Sequence, residues 1–293
     1  MKKSYFLLHL AVVLAGFTGI FGKLIVLNPF VLSVYRVFLS AIFLKILLLA
    51  SGKKYALSYK ERHEIGKGGF LIGLSWILFY ASIYSSGISI AVLCYGLMGF
   101  FTALFKPFFV SARIHIKELL LSSLSVLGIA IIFHFNIQNK LGIILGVVSA
   151  ALASIYTLIN EKLIVKYPSL LINYLQMRYA SICLGLLWLV FVFFYPMENI
   201  LPSYSDMFYL ILLSLFCTVL LYVLVADVLR QLSAFTVNLT FNLEPLYAII
   251  LAIVLFKEGR LLDIYFFIGL VIVSLSLVLQ VIFSWNKKNR QMQ

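Results

Sequence analysis

In the stretch FNLEPLYAII (residues 241–250) a carboxylic acid, Glu244, and a proline, Pro245, stand inside a run that is otherwise almost wholly apolar. A charge at the centre of a membrane helix costs about 2.5–3.5 kcal/mol even on lenient scales, so such a residue marks a functional position by default. Glu244 has two uses there: a proton carrier if it stands unpaired, or a structural ion if an arginine neutralises it. Pro245 withdraws an N–H from the backbone, which leaves the carbonyl of Phe241 in want of a donor and can kink the helix. Read as one helix, the segment aligns Ser233, Thr236, Thr240, Glu244 and Tyr247 at spacings of three or four residues, with Asn238 and Asn242 beside them. A face of that composition suits a ligand or water, not lipid.

Two arginines lie in comparable surroundings, Arg36 in SVYRVFLS and Arg178 in YLQMRYAS. A guanidinium keeps its charge and offers five N–H donors, so each needs a carboxylate, several carbonyls or an anionic ligand. Arg178 can pair with Glu244 or Asp227, or receive the carboxylate of a substrate. Arg36 has no acidic neighbour in sequence, and both roles are equally open to it. Trp76, Phe79, Tyr80 and Tyr84, with Tyr95, supply apolar walls and hydroxyl donors, or else ordinary packing. The expected substrate-binding residues are therefore Glu244, Arg36, Arg178, Asn242, Asn238, Thr240, Tyr80, Trp76, Tyr95 and Tyr247. Asp227 and Arg230, three residues apart, read as a surface pair.

Other chemistries leave no trace. The histidines at 9, 63, 115 and 134 form no HExxH or other metal-ligand spacing, and Gly73-Leu74-Ser75 lacks the closing glycine of a nucleophile elbow. Without GxxxxGK[ST], nothing suggests that this chain consumes ATP. Cys94, Cys183 and Cys217 lie within apolar runs with no CxxC spacing and read as small core residues. The expectation is a non-enzyme with no cofactor and no metal.

The elements that position these side chains follow from composition. Of 293 residues 63% are hydrophobic and only 11% charged, with a mean hydropathy of +1.10, which identifies an integral membrane protein. Since a bilayer core about 30 Å thick takes about 20 helical residues to cross, cutting at polar interruptions gives ten spans. They run over 5–22, 29–50, 68–86, 88–110, 118–135, 140–160, 168–195, 205–228, 233–256 and 261–283. Met1-Lys2-Lys3 leads into the first span with no small-residue cleavage site, so no removable leader is expected.

The net charge of +13 sits in short clusters between apolar runs and speaks for membrane topology, not for nucleic acid. With the N-terminus inside, the outer loops hold only Lys23, Lys140, Lys257 and Arg260, and every other loop or tail Lys and Arg falls on the inner side. The bias supports ten spans with both termini in the cytoplasm. On this count Glu244 lies roughly 16 Å and Arg178 roughly 15 Å from the inner ends of their helices, and Arg36 roughly 10 Å from the outer end of its own.

The pattern recurs across the two halves. YASIYSSGISIAVLCYGLMGFFTAL (80–104) and YVLVADVLRQLSAFTVNLTFNLEPLYAII (222–250) share tyrosines, small residues and a closing apolar run at an offset of about 142–146 residues. Five spans per half is an odd number, so the second half must enter the membrane from the opposite side. The expected fold is an all-α polytopic membrane protein built as two inverted five-helix repeats, 1–137 and 138–284, with a basic tail at 285–293. Such architectures bind substrate near the midplane, between the halves.

NLEPLYAIILAIVLFKE (242–258) in the ninth span and FIGLVIVSLSLVL (267–279) in the tenth resemble the EamA branch of the drug/metabolite transporter superfamily. Its penultimate span carries a proline followed by small and apolar residues and closes on Glu, matched here by Pro245, Ala248 and Glu258. The first half departs from it, with Gly99 near the place of Pro245 and SARI (111–114) where the Glu would close. The resemblance implies a secondary transporter of the bacterial inner (plasma) membrane that exports an amino acid or related small metabolite by alternating access. Uptake of a nucleotide-like or S-adenosyl metabolite is the alternative, and an intramembrane enzyme or a channel is the different class. The partners expected are a small-molecule substrate, protons if Glu244 titrates, and the lipid bilayer.

Overall fold

The computed structural model describes residues 2–109, 116–135, 140–194, 200–257 and 264–291, which are helical with no strand among them. The first half holds α1 (Lys2–Leu24), α2 (Pro29–Ala50), α3 (Tyr59–Ser86), α4 (Ile88–Tyr95), α5 (Met98–Phe109) and α6 (Ile116–Phe135). The second holds α7 (Lys140–Lys166), α8 (Ser169–Phe194), α9 (Tyr204–Ser214), α10 (Leu221–Val228), α11 (Ala234–Thr240), α12 (Glu244–Phe256) and α13 (Ile264–Gln291). A π-helical segment (Leu215–Leu220) joins α9 to α10, and a 3₁₀ turn (Phe241–Leu243) joins α11 to α12. Eight helices or helix pairs are long and apolar enough to cross a membrane, and α6 and α13 add further apolar helices.

Polar residues set the helix starts. Asn28 accepts the N–H of Phe30 ahead of Pro29, where no N–H is needed. Ser58 with Glu61 and Ser203 with Asp206 form reciprocal capping boxes at α3 and α9. The same acids tie distant segments. Asp206 also accepts the N–H of Val26 at 2.8 Å, joining the α1–α2 turn to α9. On the opposite face, Tyr167 donates to Glu61 at 3.0 Å, a bond that pushes the Tyr167 phenol up, and Ser4 donates to Gln231 at 2.6 Å.

The halves pack as an exchange of equivalent partners. Exchanging α1 with α7, α3 with α9–α10, α4 with α11 and α5 with α12 turns the pair α3·α7 into α10·α1, α5·α7 into α12·α1 and α4·α12 into α11·α5, and all of these pairs touch. The helices α2 and α8 meet each other, as do α6 and α13. Contacts that map onto themselves when the halves are swapped are what two repeats related by a pseudo-twofold axis require. The fourth helix of each half is broken in the same place. The second-half segments start 146 residues after their counterparts at both points, 88 to 234 and 98 to 244.

Close approach of α3 to α8 depends on glycines. A Cβ on Gly69 would overlap the backbone carbonyl of Gln176, and one on Gly66 would overlap the Tyr179 ring. Backbone cannot yield as a side-chain tip can, and overpacking of this kind costs about 1–3 kcal/mol. Gly69→Ala should therefore lower the melting temperature by about 5 °C or more. Gly185→Ala, with nothing within 4 Å, should leave it unchanged or raised in the same differential scanning measurement.

Candidate functional site

Between the halves lies a cavity of about 560 Å³, including the part that opens to solvent. Its walls come from α1, α2, α3, α7, the π-helical segment with α10, and the two broken helices. Among the described residues, Arg36 and Glu244 are the charged side chains on them. Both are buried, at 1% and 4% exposure, and no ion pair within 4 Å joins them.

Arg36 is fixed on three sides. On α2 it belongs to the buried stripe Ser33, Arg36, Val37, Ser40, Leu44, whose helical spacing turns it inward. Its Nε donates to Thr218 Oγ1 at 2.8 Å, Nη1 to the Tyr80 hydroxyl at 2.7 Å and Nη2 to the Cys217 carbonyl at 2.8 Å. The guanidinium carbon lies 3.7 Å from the centre of the Trp76 ring, close enough for strong cation–π attraction in a dry site. Two of these acceptors come from the π-helical segment, a form that is rare and frequent at functional sites. Among the described residues no carboxylate neutralises the guanidinium directly.

Glu244 is held by a different device. In one continuous helix Asn238 and Glu244, six residues apart, would point roughly 120° away from each other. The intervening 3₁₀ turn advances about 120° per residue instead of about 100°, which brings both onto the cavity wall. Asn238 donates to Thr102 Oγ1 at 2.7 Å, bracing α11 against α5. The carboxylate of Glu244 has no hydrogen bond or ion pair among the described residues. Its oxygens therefore need a substrate group, water or a proton.

The role expected of Pro245 changes accordingly. It falls in the first turn of α12, where a missing N–H costs nothing, and the Phe241 carbonyl is not orphaned because the Glu244 N–H donates to it across the 3₁₀ turn. The helix is interrupted before the proline, not kinked by it.

Of the expected site residues, Arg36, Trp76, Tyr95, Asn238 and Glu244 line the cavity, and Tyr80 stands behind Arg36 as its acceptor. Thr240 donates to the Thr236 carbonyl, and Tyr247 bonds to His9 Nε2 at 2.9 Å between α12 and α1, so neither is a wall residue. The side chain of Asn242 lies outside the described residues. Arg178 is corrected outright. It is exposed, makes no pair with Glu244, and continues the outward stripe of Ile182, Leu186 and Phe193. Counting depth from the end of α8 misled, because its first turns lie level with the charged stretch of α3, where Gly66 and Gly69 meet Tyr179 and Gln176. Asp227 pairs with Arg230 at 3.7 Å, as their spacing predicts. Sequence reasoning missed Tyr156, Tyr222, Thr218 and Cys217. Tyr222 accepts from Trp76 Nε1 at 3.2 Å, and its ring meets Tyr156 edge-on, yet in a chain with 17 tyrosines nothing in their spacing singles them out.

Known proteins share this organisation. An uncharacterized transporter of Clostridium kluyveri is 23% identical over 98% of this chain and 95% of its own length. The uncharacterized transporter YxxF of Bacillus subtilis is 24% identical over 96% of this chain and 90% of its own. One crystal structure superposes with a TM-score of 0.71 at 12% identity, over 98% of this chain and 99% of that one, a likeness of fold. The model of the EamA-like transporter family matches twice, over residues 2–134 and 140–281, one match in each half of the inverted arrangement. With nearly the whole chain matched, in the order its packing repeats, this protein belongs to the EamA-like transporter family.

Proposed function

We propose that this transporter moves a small zwitterionic metabolite of the amino-acid class, by export and alternating access, across a bacterial inner membrane. The observation that carries this reading is the pair of opposite charges on one buried wall, kept apart and unmatched. A buried ion is best tolerated beside an opposite charge, and among the described residues neither has one within 4 Å, although Arg36 donates to three neutral acceptors. A molecule with a carboxylate for Arg36 and an ammonium for Glu244, near the Asn238 amide, satisfies both at once. The rings of Phe79, Tyr95, Tyr156 and Tyr222 then take its apolar part. The excess of Lys and Arg in the loops on the side of the N-terminus supports a cytoplasmic position for that face. Repeat boundaries near residues 137 and 284 follow from the same reading.

The test is a thermal-shift series on detergent-purified protein at neutral pH. A stabilising amino acid is compared with its decarboxylated amine and its deaminated acid. At 100 times the dissociation constant a ligand adds about 2.7 kcal/mol, a readily measured rise in melting temperature. The amino acid should give that rise and both truncated forms should lose most of it. Equal stabilisation by the bare amine would overturn the zwitterion reading, and stabilisation by nucleosides alone would redirect it to the nucleotide-like class.

A further inference from the structure

The second half carries one residue that the first half lacks, and it sits beside the cavity. Ser58 and Glu61 at the start of α3 recur as Ser203 and Asp206 at the start of α9, a step of 145 residues, from 58 to 203 and from 61 to 206. Gly69 and Ser214 keep that step, and their contacts match. A Cβ on Gly69 would overlap the Gln176 carbonyl, and Ser214 donates to the Arg36 carbonyl at 3.4 Å. Farther along, the step is longer. Trp76 Nε1 donates to the Tyr222 hydroxyl at 3.2 Å, 146 residues away, so two equivalent residues bond to each other across the pseudo-twofold axis. The extra residue therefore lies between Ser214 and Tyr222, where the chain forms the π-helical segment Leu215–Leu220. A π turn closes from residue i to i+5 in place of i+4, and so takes up one more residue.

The helices that face these segments show what the insertion changes. The buried stripe of α2 recurs in α8 at a step of 140 residues, from Ser33 to Asn173, from Arg36 to Gln176 and from Leu44 to Leu184. Gln176 packs on the regular helix α3, whose residues 71–73 (Leu, Ile, Gly) have no polar side chain, and its amide turns to Asn160 at 2.7 Å. Arg36 meets the widened turn instead. Its Nε donates to Thr218 Oγ1 and its Nη2 to the Cys217 carbonyl, each at 2.8 Å. The Thr218 hydroxyl gives its one hydrogen to the Leu213 carbonyl at 3.2 Å, which leaves its lone pairs for Arg36. With Nη1 on Tyr80, two of the five guanidinium N–H groups remain, one on each terminal nitrogen.

We infer that Thr218 is a positioning residue for Arg36: brought to the guanidinium by an insertion that only the second half has, its hydroxyl occupies Nε and leaves the two terminal nitrogens to receive an anionic group of the cargo. A planar guanidinium can take a carboxylate in bidentate fashion along either of its edges. With Nε engaged, the edge between the terminal nitrogens is the one left. The insertion thus makes two otherwise equivalent walls unlike, with a held cation on one and a neutral amide at its counterpart. Recognition of a carboxylate rests on the function proposed above, whereas the hold of Thr218 on Nε does not.

The test compares Thr218→Val, which keeps the shape and removes the hydroxyl, with Thr218→Ser, which keeps the hydroxyl. In proton–nitrogen correlation spectra of isotope-labelled protein in detergent, the Arg36 Nε–H is identified by its loss in Arg36→Lys. It should be protected from exchange with water in the wild type and in Thr218→Ser, and exchange rapidly in Thr218→Val. A protected Nε–H in Thr218→Val would overturn the inference. In proteoliposomes, the concentration for half-maximal counterflow of a radiolabelled amino-acid mixture should rise about tenfold or more in Thr218→Val, the factor that follows loss of one hydrogen bond to a charged group. Thr218→Ser should stay near the wild type. In an Arg36→Gln background, Thr218→Val should lower the melting temperature less than it does in the wild type, because the two groups are bonded. Equal losses in both backgrounds with counterflow unchanged would make Thr218 a packing residue only. If the wild type does not exchange the mixture at all, the zwitterion reading fails, while protection of the Arg36 Nε–H still decides the role of Thr218.

Discussion

Replacing Arg36 by lysine should reduce transport about 100-fold and lower the melting temperature, although the charge is retained. Arg36 engages Thr218, the Cys217 carbonyl and Tyr80 from three different nitrogens while its plane lies on Trp76. An ammonium on a flexible stem cannot reproduce that fork or stack in the same way. Hydrogen bonds to charged groups contribute about 1.5–3 kcal/mol each, and losing two of them with the stacking accounts for a factor of about 100 or more. Arg36→Gln should be worse still in transport, because the positive pole of the cavity is gone. The measurement is substrate counterflow in proteoliposomes at equal protein density, alongside melting of the purified variants. Near wild-type counterflow in Arg36→Lys would show that the guanidinium geometry is incidental and that Arg36 is only a buried structural cation.

Glu244→Gln is expected to separate function from stability in the opposite sense. The carboxylate has no hydrogen bond or ion pair within the described structure, so the amide breaks no bond and removes a buried charge that only the more distant Arg36 offsets. The variant should melt at or above the wild-type temperature in the absence of substrate. Counterflow should fall by about 100-fold, and stabilisation by substrate should largely vanish, since Gln cannot neutralise an ammonium or carry a proton. If protons are coupled through this group, the pH dependence of transport should flatten in the variant while its residual rate stays measurable. A variant that is much less stable in every condition, yet binds substrate as before, would make Glu244 a structural residue. The two substitutions therefore predict melting temperatures that move apart, which no general loss of packing would produce.

Much of the architecture was legible before any tertiary structure. Hydropathy and the distribution of Lys and Arg determined a helical membrane protein, and the recurrence across the two halves pointed to a repeat. Pro245 marks the ninth span as irregular, whereas nothing around Gly99 announces that the fourth helix of the first half is broken as well. The rarity of buried charge picked out Arg36 and Glu244, because carrying an ion into a bilayer is too costly to be accidental. Those inferences rest on one-dimensional quantities: composition, length and the cost of burial.

Tertiary structure alone decided which charges meet. Arg36 and Arg178 look alike in sequence, but a helix turns 100° per residue and one residue of phase separates a cavity wall from an exposed face. Arg178 fell on the wrong side, at a level where α3 is still charged. Asn238 and Glu244 share a wall only because three residues overwind into a 3₁₀ turn. Thr218 and Cys217 reach Arg36 from a π-helical segment, and both irregularities depend on packing between the halves that no local pattern encodes. The sequence by itself determined that buried charges exist here and at roughly what depth. Which of them face one another is settled by helix phase, and phase is fixed only when the helices pack.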